Sequence, residues 1–275
     1  MTTAGQVRRI NVLGLPVAAT DIAGVVSIFD QWIANRQREY VTVTGAHGVV
    51  ESMRDPELAA IHRRAGLIVP DGMPLVWHAW IRGAKNTQRC YGPDVMLAVL
   101  ERSGTAGHRH FLYGGGEGVA ELLERKLRER FPDLQICGRR TPPYRDLTDA
   151  ESAEIAAAIN AAAPDIVWVG LSTPKQERWM AAFRDRLKAP VLVGVGAAFD
   201  FHAGLKPQAP RILQRNGLEW AYRLVTEPKR LWRRYFDIVP TFFFQSVLQL
   251  GGIKHFGDQP AVKPGAAGRT GRSEI

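Results

Sequence analysis

The sequence predicts an α/β fold in which a parallel sheet is flanked by helices and followed by a basic helical appendage. Three observations predict it. Short β-rich runs alternate with longer stretches whose apolar residues recur at three-to-four spacing, the pattern of strand–helix–strand units. The 275 residues are 45% hydrophobic, enough to bury one full core. From Pro207 the alternation stops, and basic helical segments broken by Pro210 and Pro228 replace it.

In chain order, a helical pattern over Asp21–Arg36 precedes the first strand, Tyr40–Thr44, where β-branched residues alternate. Gly66–Val69 is the second strand, and the next helical pattern covers Val95–Ser103. His110–Tyr113 runs through glycines into a helix over Gly118–Phe131, and another helix is expected over Asp149–Ala162. Asp165–Val169 is followed by a helix over Lys175–Leu187, which Pro174 suits at its first turn and Thr173 as a cap. Val191–Val195 is the last strand. The whole reads as a Rossmann-like core over 1–204, an appendage over 205–254, and a tail over 255–275. That tail is rich in Gly, Pro and basic side chains without periodicity, so disorder is expected there.

The net charge of +9 is unevenly spread. Between Leu205 and Tyr235, eight Lys or Arg stand against two acids, Glu219 and Glu227, with Trp220, Tyr222 and Trp232 among them. Such a segment should meet an anionic partner close to a membrane. The apolar run Ile238–Gly252 is interrupted by Pro240, Gln245 and Gln249 and falls short of the ~20 residues of a spanning helix, so it is expected to lie on a surface. Met1–Arg9 lacks a following apolar stretch of signal-peptide type, and Cys90 and Cys137 form no CxxC, which fits a reducing cytoplasm.

Three loops at strand ends are candidate sites, each with an ordinary structural alternative. Gly114, Gly115 and Gly116 would let backbone N–H groups approach a diphosphate at a helix start, although the spacing is neither GxGxxG nor a Walker loop, and a tight connection explains it equally. Asp71, in Pro70-Asp71-Gly72, sits where open α/β sheets hold ligands, but the same tripeptide is a common turn. Gly170 to Glu177 repeats the strand–loop–helix arrangement, and Thr173 can be only a cap. With no DxD, no HExxH and no histidines at ligand spacing, neither a metal nor a cofactor is expected, and no GxSxG suggests a hydrolase.

Several motifs in order resemble the WecG/TagA/CpsF family of glycosyltransferases. They are Val69-Pro70-Asp71-Gly72-Met73-Pro74, Arg89-Cys90-Tyr91-Gly92-Pro93-Asp94, Phe111-Leu112-Tyr113-Gly114-Gly115, Thr173-Pro174-Lys175-Gln176-Glu177-Arg178-Trp179 and Gly196-Ala197-Ala198-Phe199-Asp200. The appendage adds Leu218-Glu219-Trp220-Ala221-Tyr222-Arg223-Leu224 and Glu227-Pro228-Lys229-Arg230, so coverage runs from about Tyr40 to Tyr235. The resemblance implies metal-independent, inverting transfer of a hexose or N-acetylhexosamine, with N-acetylmannosamine the first expectation. The donor would be a UDP-sugar and the acceptor a polyprenyl-diphosphate-linked glycan at the inner face of a bacterial plasma membrane. It implies that Asp71 is the general base, that Arg89 and Thr44 serve the reaction, and that Gly114, Gly115, Gly116, Thr173, Gln176, Arg223, Arg230 and Arg233 contact substrate. Where the family carries Thr-x-Asn, this chain reads Thr42-Val43-Thr44-Gly45, leaving open whether Thr44 or Thr42 holds the threonine place and whether the donor carries glucose or glucuronate.

Independently of that resemblance, a departing diphosphate gathers charge that guanidinium groups can take up without a metal. In a helix starting after Pro228, Arg230, Arg233 and Arg234 share a face, where they would also attract anionic headgroups at roughly 1 kcal/mol each. A nucleic-acid-binding module is the competing class, given a pI near 9.9. Strand-end Asp71 and Gln176 argue against it, so no nucleic-acid partner is expected, while a homo-oligomer is compatible with the reading.

Overall fold

The computed structural model describes residues 7–257. A hairpin absent from the sequence-based expectation opens the chain: β1 (Arg9–Val12) pairs antiparallel with β2 (Leu15–Ala18) around Leu13 and Gly14, at φ 50° and 92°. Helix α1 (Ile22–Ala34) is capped by Asp21, whose carboxylate accepts the Gly24 N–H at 2.8 Å. It buries Val25, Ile28, Phe29 and Trp32, each side chain contributing roughly 1.5–3 kcal/mol.

The main sheet contains β3 (Glu39–Thr44), β4 (Leu67–Pro70), β5 (Arg109–Gly114), β6 (Gln135–Arg140), β7 (Ile166–Gly170) and β8 (Val191–Gly194). All neighbours are parallel, in the order β4-β3-β8-β7-β5-β6. Five of these are the expected strands. The sixth, β6, is a partly exposed edge strand of sequence QICGRR, too polar to register as a β run. Its Gly138 makes room for Phe111, whose ring a Cβ would meet at 2.6 Å.

Both faces are covered, as a parallel sheet requires. One face packs α1 with α5 (Gly92–Ala106), α6 (Val119–Arg130) and α9 (Ala198–His202) over Val41, Val43, Leu112, Trp168 and Val193. The other packs α2 (Ala46–Arg54), α3 (Pro56–Arg64), α4 (Met73–Ile81), α7 (Asp149–Ala162) and α8 (Lys175–Phe183) around Tyr40, Phe111, Tyr113, Val167, Val169 and Leu192. Helices α2, α3 and α4 were not anticipated, being nine residues each and too short for a clear period. Asp55, which caps α3 through the Leu58 N–H, was the one available signal.

After α9 only helices follow among the described residues: α10 (Arg211–Arg215), α11 (Glu219–Thr226) and α12 (Pro228–Leu250). Helix α12 is two-sided. Leu231, Ile238 and Phe242 are buried, the latter two within the core, and Arg54 of α2 grips Asp237 through two bonds of 2.6 and 2.7 Å. Trp232, Phe236, Phe243 and Val247 fall on the opposite stripe, exposed. At its far end Gln249 accepts the Leu13 N–H at 3.0 Å and donates to Asn11 Oδ1 at 3.1 Å, tying the helix to the hairpin. Of the expected tail, Phe256 is held by Asn11, which donates to its carbonyl at 2.8 Å, and residues 258–275 lie outside the described residues. No described helix is long and apolar enough to cross a membrane.

Candidate active site

The carboxyl ends of β4, β3, β8 and β7 open into one cavity of about 320 Å³, roofed by α11 and α12. This is where an open α/β sheet leaves room for a ligand, because the connections on either side diverge. Strand β3 leads to Gly45, His47 and Gly48 in the wall, β4 to Asp71 and Met73, β7 to Thr173 and Gln176, and β8 to Gly196 and Asp200.

Asp71 is held in place by backbone on both sides. Its N–H donates to the Thr44 carbonyl at 3.0 Å, and its Oδ1 accepts the Gly92 N–H at 3.1 Å, at the positive end of α5. Gly92 permits this approach, since a Cβ there would crowd the Val195 carbonyl at 3.3 Å. Burial pushes the Asp71 carboxyl up to about 6; Arg89 opposes that shift, Glu219 reinforces it, and the Gly92 N–H and Arg223 oppose it again. Beside it Gly45 leaves open space, where a Cβ would meet only Asp71 Oδ2, at 3.7 Å.

Arg89 lies across this loop. Its Nε donates to the Asp71 carbonyl at 2.6 Å, its guanidinium stacks 4.1 Å from the Tyr91 ring centroid, and Nη2 pairs with Glu219 of α11. Lys206 is likewise paired, with Asp200 at 2.6 Å. Arg223 and Arg234 also line the cavity, yet neither makes an ion pair among the described residues, and the buried Nε of Arg234 has no hydrogen-bond partner. Burial works against the charge of Arg223, but Tyr235, Glu219, Tyr91 and Asp71 together raise its pKa, so the cavity presents two guanidinium donors of a kind suited to an anion. His47 stays neutral beside them, its pKa pushed down to about 4 by burial and then by Arg234.

The expected site residues divide. Asp71, Arg89, Gln176, Thr173 and Arg223 converge on the cavity. Gln176 accepts the Gly196 N–H at 3.0 Å, while its amide and the Thr173 hydroxyl both donate to Glu177. Thr44 and Thr42 are buried in β3 and do not line the cavity, although the Thr44 carbonyl anchors Asp71. Gly114, Gly115 and Gly116 do not line it either. Strand β5 lies beyond β7, and a Cβ on Gly114, at φ 125°, would strike the carbonyl oxygen of Gly170, its register partner on β7, at 2.6 Å, so close approach of the paired strand ends accounts for that glycine. Arg233 points away, its guanidinium 5.3 Å from the exposed Trp232 ring, and Arg234 takes the inward position instead. The side chain of Arg230 lies outside the described residues.

Sequence reasoning missed His47, Asp200, Lys206, Glu219 and Tyr235 as cavity residues. Only Asp200 and Glu219 stood inside a quoted motif, and neither carried a positional signal of its own. Among the described residues no group of three or more His, Cys, Asp or Glu is placed to hold a metal ion.

Compared with known proteins, residues 10–254 match the Glycosyl transferase WecG/TagA/CpsF family. The chain belongs to this family. It is 35% identical over 189 residues to the N-acetylglucosaminyldiphosphoundecaprenol N-acetyl-beta-D-mannosaminyltransferase of Bacillus spizizenii, covering 68% of this chain and 71% of the relative. A Bacillus subtilis protein of the same description is 31% identical over 201 residues, covering 70% and 76%. One from Staphylococcus aureus is 24% identical over 239 residues, covering 86% and 91%. The protein is thus a WecG/TagA/CpsF glycosyltransferase, and its family match includes the appendage helices that complete the cavity.

Proposed function

We propose that this WecG/TagA/CpsF enzyme moves a hexose or N-acetylhexosamine, N-acetylmannosamine foremost, from a UDP-sugar to a polyprenyl-diphosphate-linked glycan, with inversion and without a metal. The observation that carries the reading is a carboxyl suited to accept a proton, Asp71, in the same cavity as two guanidinium groups, Arg223 and Arg234, that make no ion pair among the described residues. Asp71 takes the proton of the acceptor hydroxyl as that oxygen bonds to the anomeric carbon. The bond from that carbon to UDP breaks, and the charge gathering on the diphosphate is met by the guanidinium groups. The relatives' names, which specify an N-acetylglucosaminyldiphosphoundecaprenol acceptor, support the acceptor class.

Incubation with UDP-N-acetylmannosamine, UDP-glucose and UDP-glucuronate in turn, with a lipid-diphosphate sugar as acceptor, tests this by product mass. A single added N-acetylhexosamine is expected, formed equally in EDTA. Loss of product in EDTA with recovery on adding manganese or magnesium would place a cation in the reaction. Because only ionised Asp71 accepts a proton, kcat/KM should climb with pH through about 6 and level off above it. A flat profile between pH 5 and 8 is the contrary result.

The exposed stripe of α12, with Lys229 and Arg233 beside it, is suited to an anionic membrane surface, where aromatic rings embed at headgroup depth. Replacing Phe236 and Phe243 together by Ser should weaken sedimentation with anionic liposomes by about tenfold or more while leaving turnover on a soluble acceptor unchanged. Undiminished liposome binding would take membrane contact away from this face.

A further inference from the structure

We propose that Glu219 of α11 is a positioning residue of the transferase: it clamps Arg89 against the Asp71 loop and thereby sets the charge around Asp71. The importance of this for turnover rests on the reading of Asp71 as the base, whereas the clamp itself does not.

Among the described residues three ion pairs join the appendage helices to the core, and they differ in burial. Arg54–Asp237 and Arg211–Asp94 keep side-chain exposures of 45%/50% and 68%/21%, whereas Arg89 and Glu219 are 14% and 13% exposed. Exposed pairs of the first kind contribute little, but removing one partner of a shielded pair strands the other charge. Arg89 is also immobilised on every side. Its Nε is bonded to the Asp71 carbonyl, Nη1 lies 3.5 Å from Gln214 Oε1, its plane rests on Tyr91, and Glu219 holds Nη2. Gln214, buried in α10, is fixed in turn by its bond to the Ala209 carbonyl at 2.7 Å. A single carboxylate from the first turn of α11 therefore joins the roof of the cavity to its catalytic floor.

The groups around Asp71 give the clamp an electrostatic consequence. Arg89, the Gly92 N–H, Tyr91 and Cys90 approach from the segment leading into α5. Arg223 and Glu219 come from α11, Arg234 and Tyr235 from α12, and neutral His47 from the loop after β3, with the Lys206–Asp200 pair also in the cavity. Among the charged neighbours that act on Asp71, Arg89 and Arg223 favour its ionised form and Glu219 opposes it. Glu219 therefore answers the charge of Arg89 and keeps Asp71 a stronger proton acceptor than an Arg89 without a counter-ion would allow.

The test is titration of Asp71 in the full chain, read by carboxyl carbon NMR and assigned by the signal lost in Asp71→Asn. Glu219→Gln keeps the shape and a hydrogen bond to Arg89 but removes the charge. Its Asp71 midpoint should fall below that of the unaltered protein, and kcat should drop about tenfold, the scale of a lost charge-assisted bond. Glu219→Asp, which keeps the charge on a shorter arm, should give an intermediate midpoint and carries the test alone if the Gln variant does not fold. A purely structural role lowers stability without moving the midpoint, so equal midpoints in all folded variants overturn the proposal. If the midpoint falls but the acid limb of kcat/KM stays in place, the clamp stands and Asp71 is removed as the base. The two failures are thus distinct.

Discussion

Asp71→Asn should lower turnover by about 100-fold or more while leaving UDP binding nearly intact, the usual consequence of losing a general base. The amide keeps the size of the side chain and can still accept the Gly92 N–H, so the loop between β4 and α4 has no cause to move. What it loses is the ability to take up a proton. Isothermal titration with UDP beside single-turnover rates separates the two, and near-normal turnover in a folded variant would move the base elsewhere in the cavity.

Arg223→Ala is expected to be nearly as damaging, by about 100-fold on a soluble acceptor with no membrane present, because it deletes a donor aimed at charge that develops only as the bond breaks. The geometry supports a change in kcat more than in KM: Arg223 has no ion pair to release among the described residues, and it lies in the cavity with Asp71. Arg234→Ala should behave similarly, whereas Arg233→Ala should alter only liposome binding. If Arg223→Ala acts solely on vesicles, the guanidinium serves the lipid rather than the leaving group. Cutting the chain at Gly204 is a blunter experiment, since Ile238 and Phe242 belong to the core and would leave it uncovered.

The strands most easily read from sequence were those buried on both faces, where apolar runs such as Val191-Leu192-Val193 have few alternatives. Edge strand β6 and the hairpin were not legible, because a half-exposed strand needs little apolar sequence and a four-residue strand holds only two full periods. Within the site, Asp71 and Gln176 were legible from loops after strands together with their motifs, whereas Arg89, between α4 and α5, was legible only through its motif. Arg234 was obscured by helix phase: α12 has apolar residues on two sides, and only the packing of Leu231, Ile238 and Phe242 decides which arginine turns inward. Glycine 114 misled for a physical reason, since backbone crowding and phosphate binding both select a residue without a side chain.

The bond between Leu13 and Gln249 spans 236 residues of chain. During synthesis the first partner leaves the ribosome 236 residues ahead of the second, so every strand of the sheet has emerged before α12 is available to close on the hairpin. Until then the nascent chain can assemble a floor bearing Asp71 and Gln176 but has no roof over the cavity. A frameshift or stop codon that removed α12 would therefore leave the cavity open, however much of the sheet had been made.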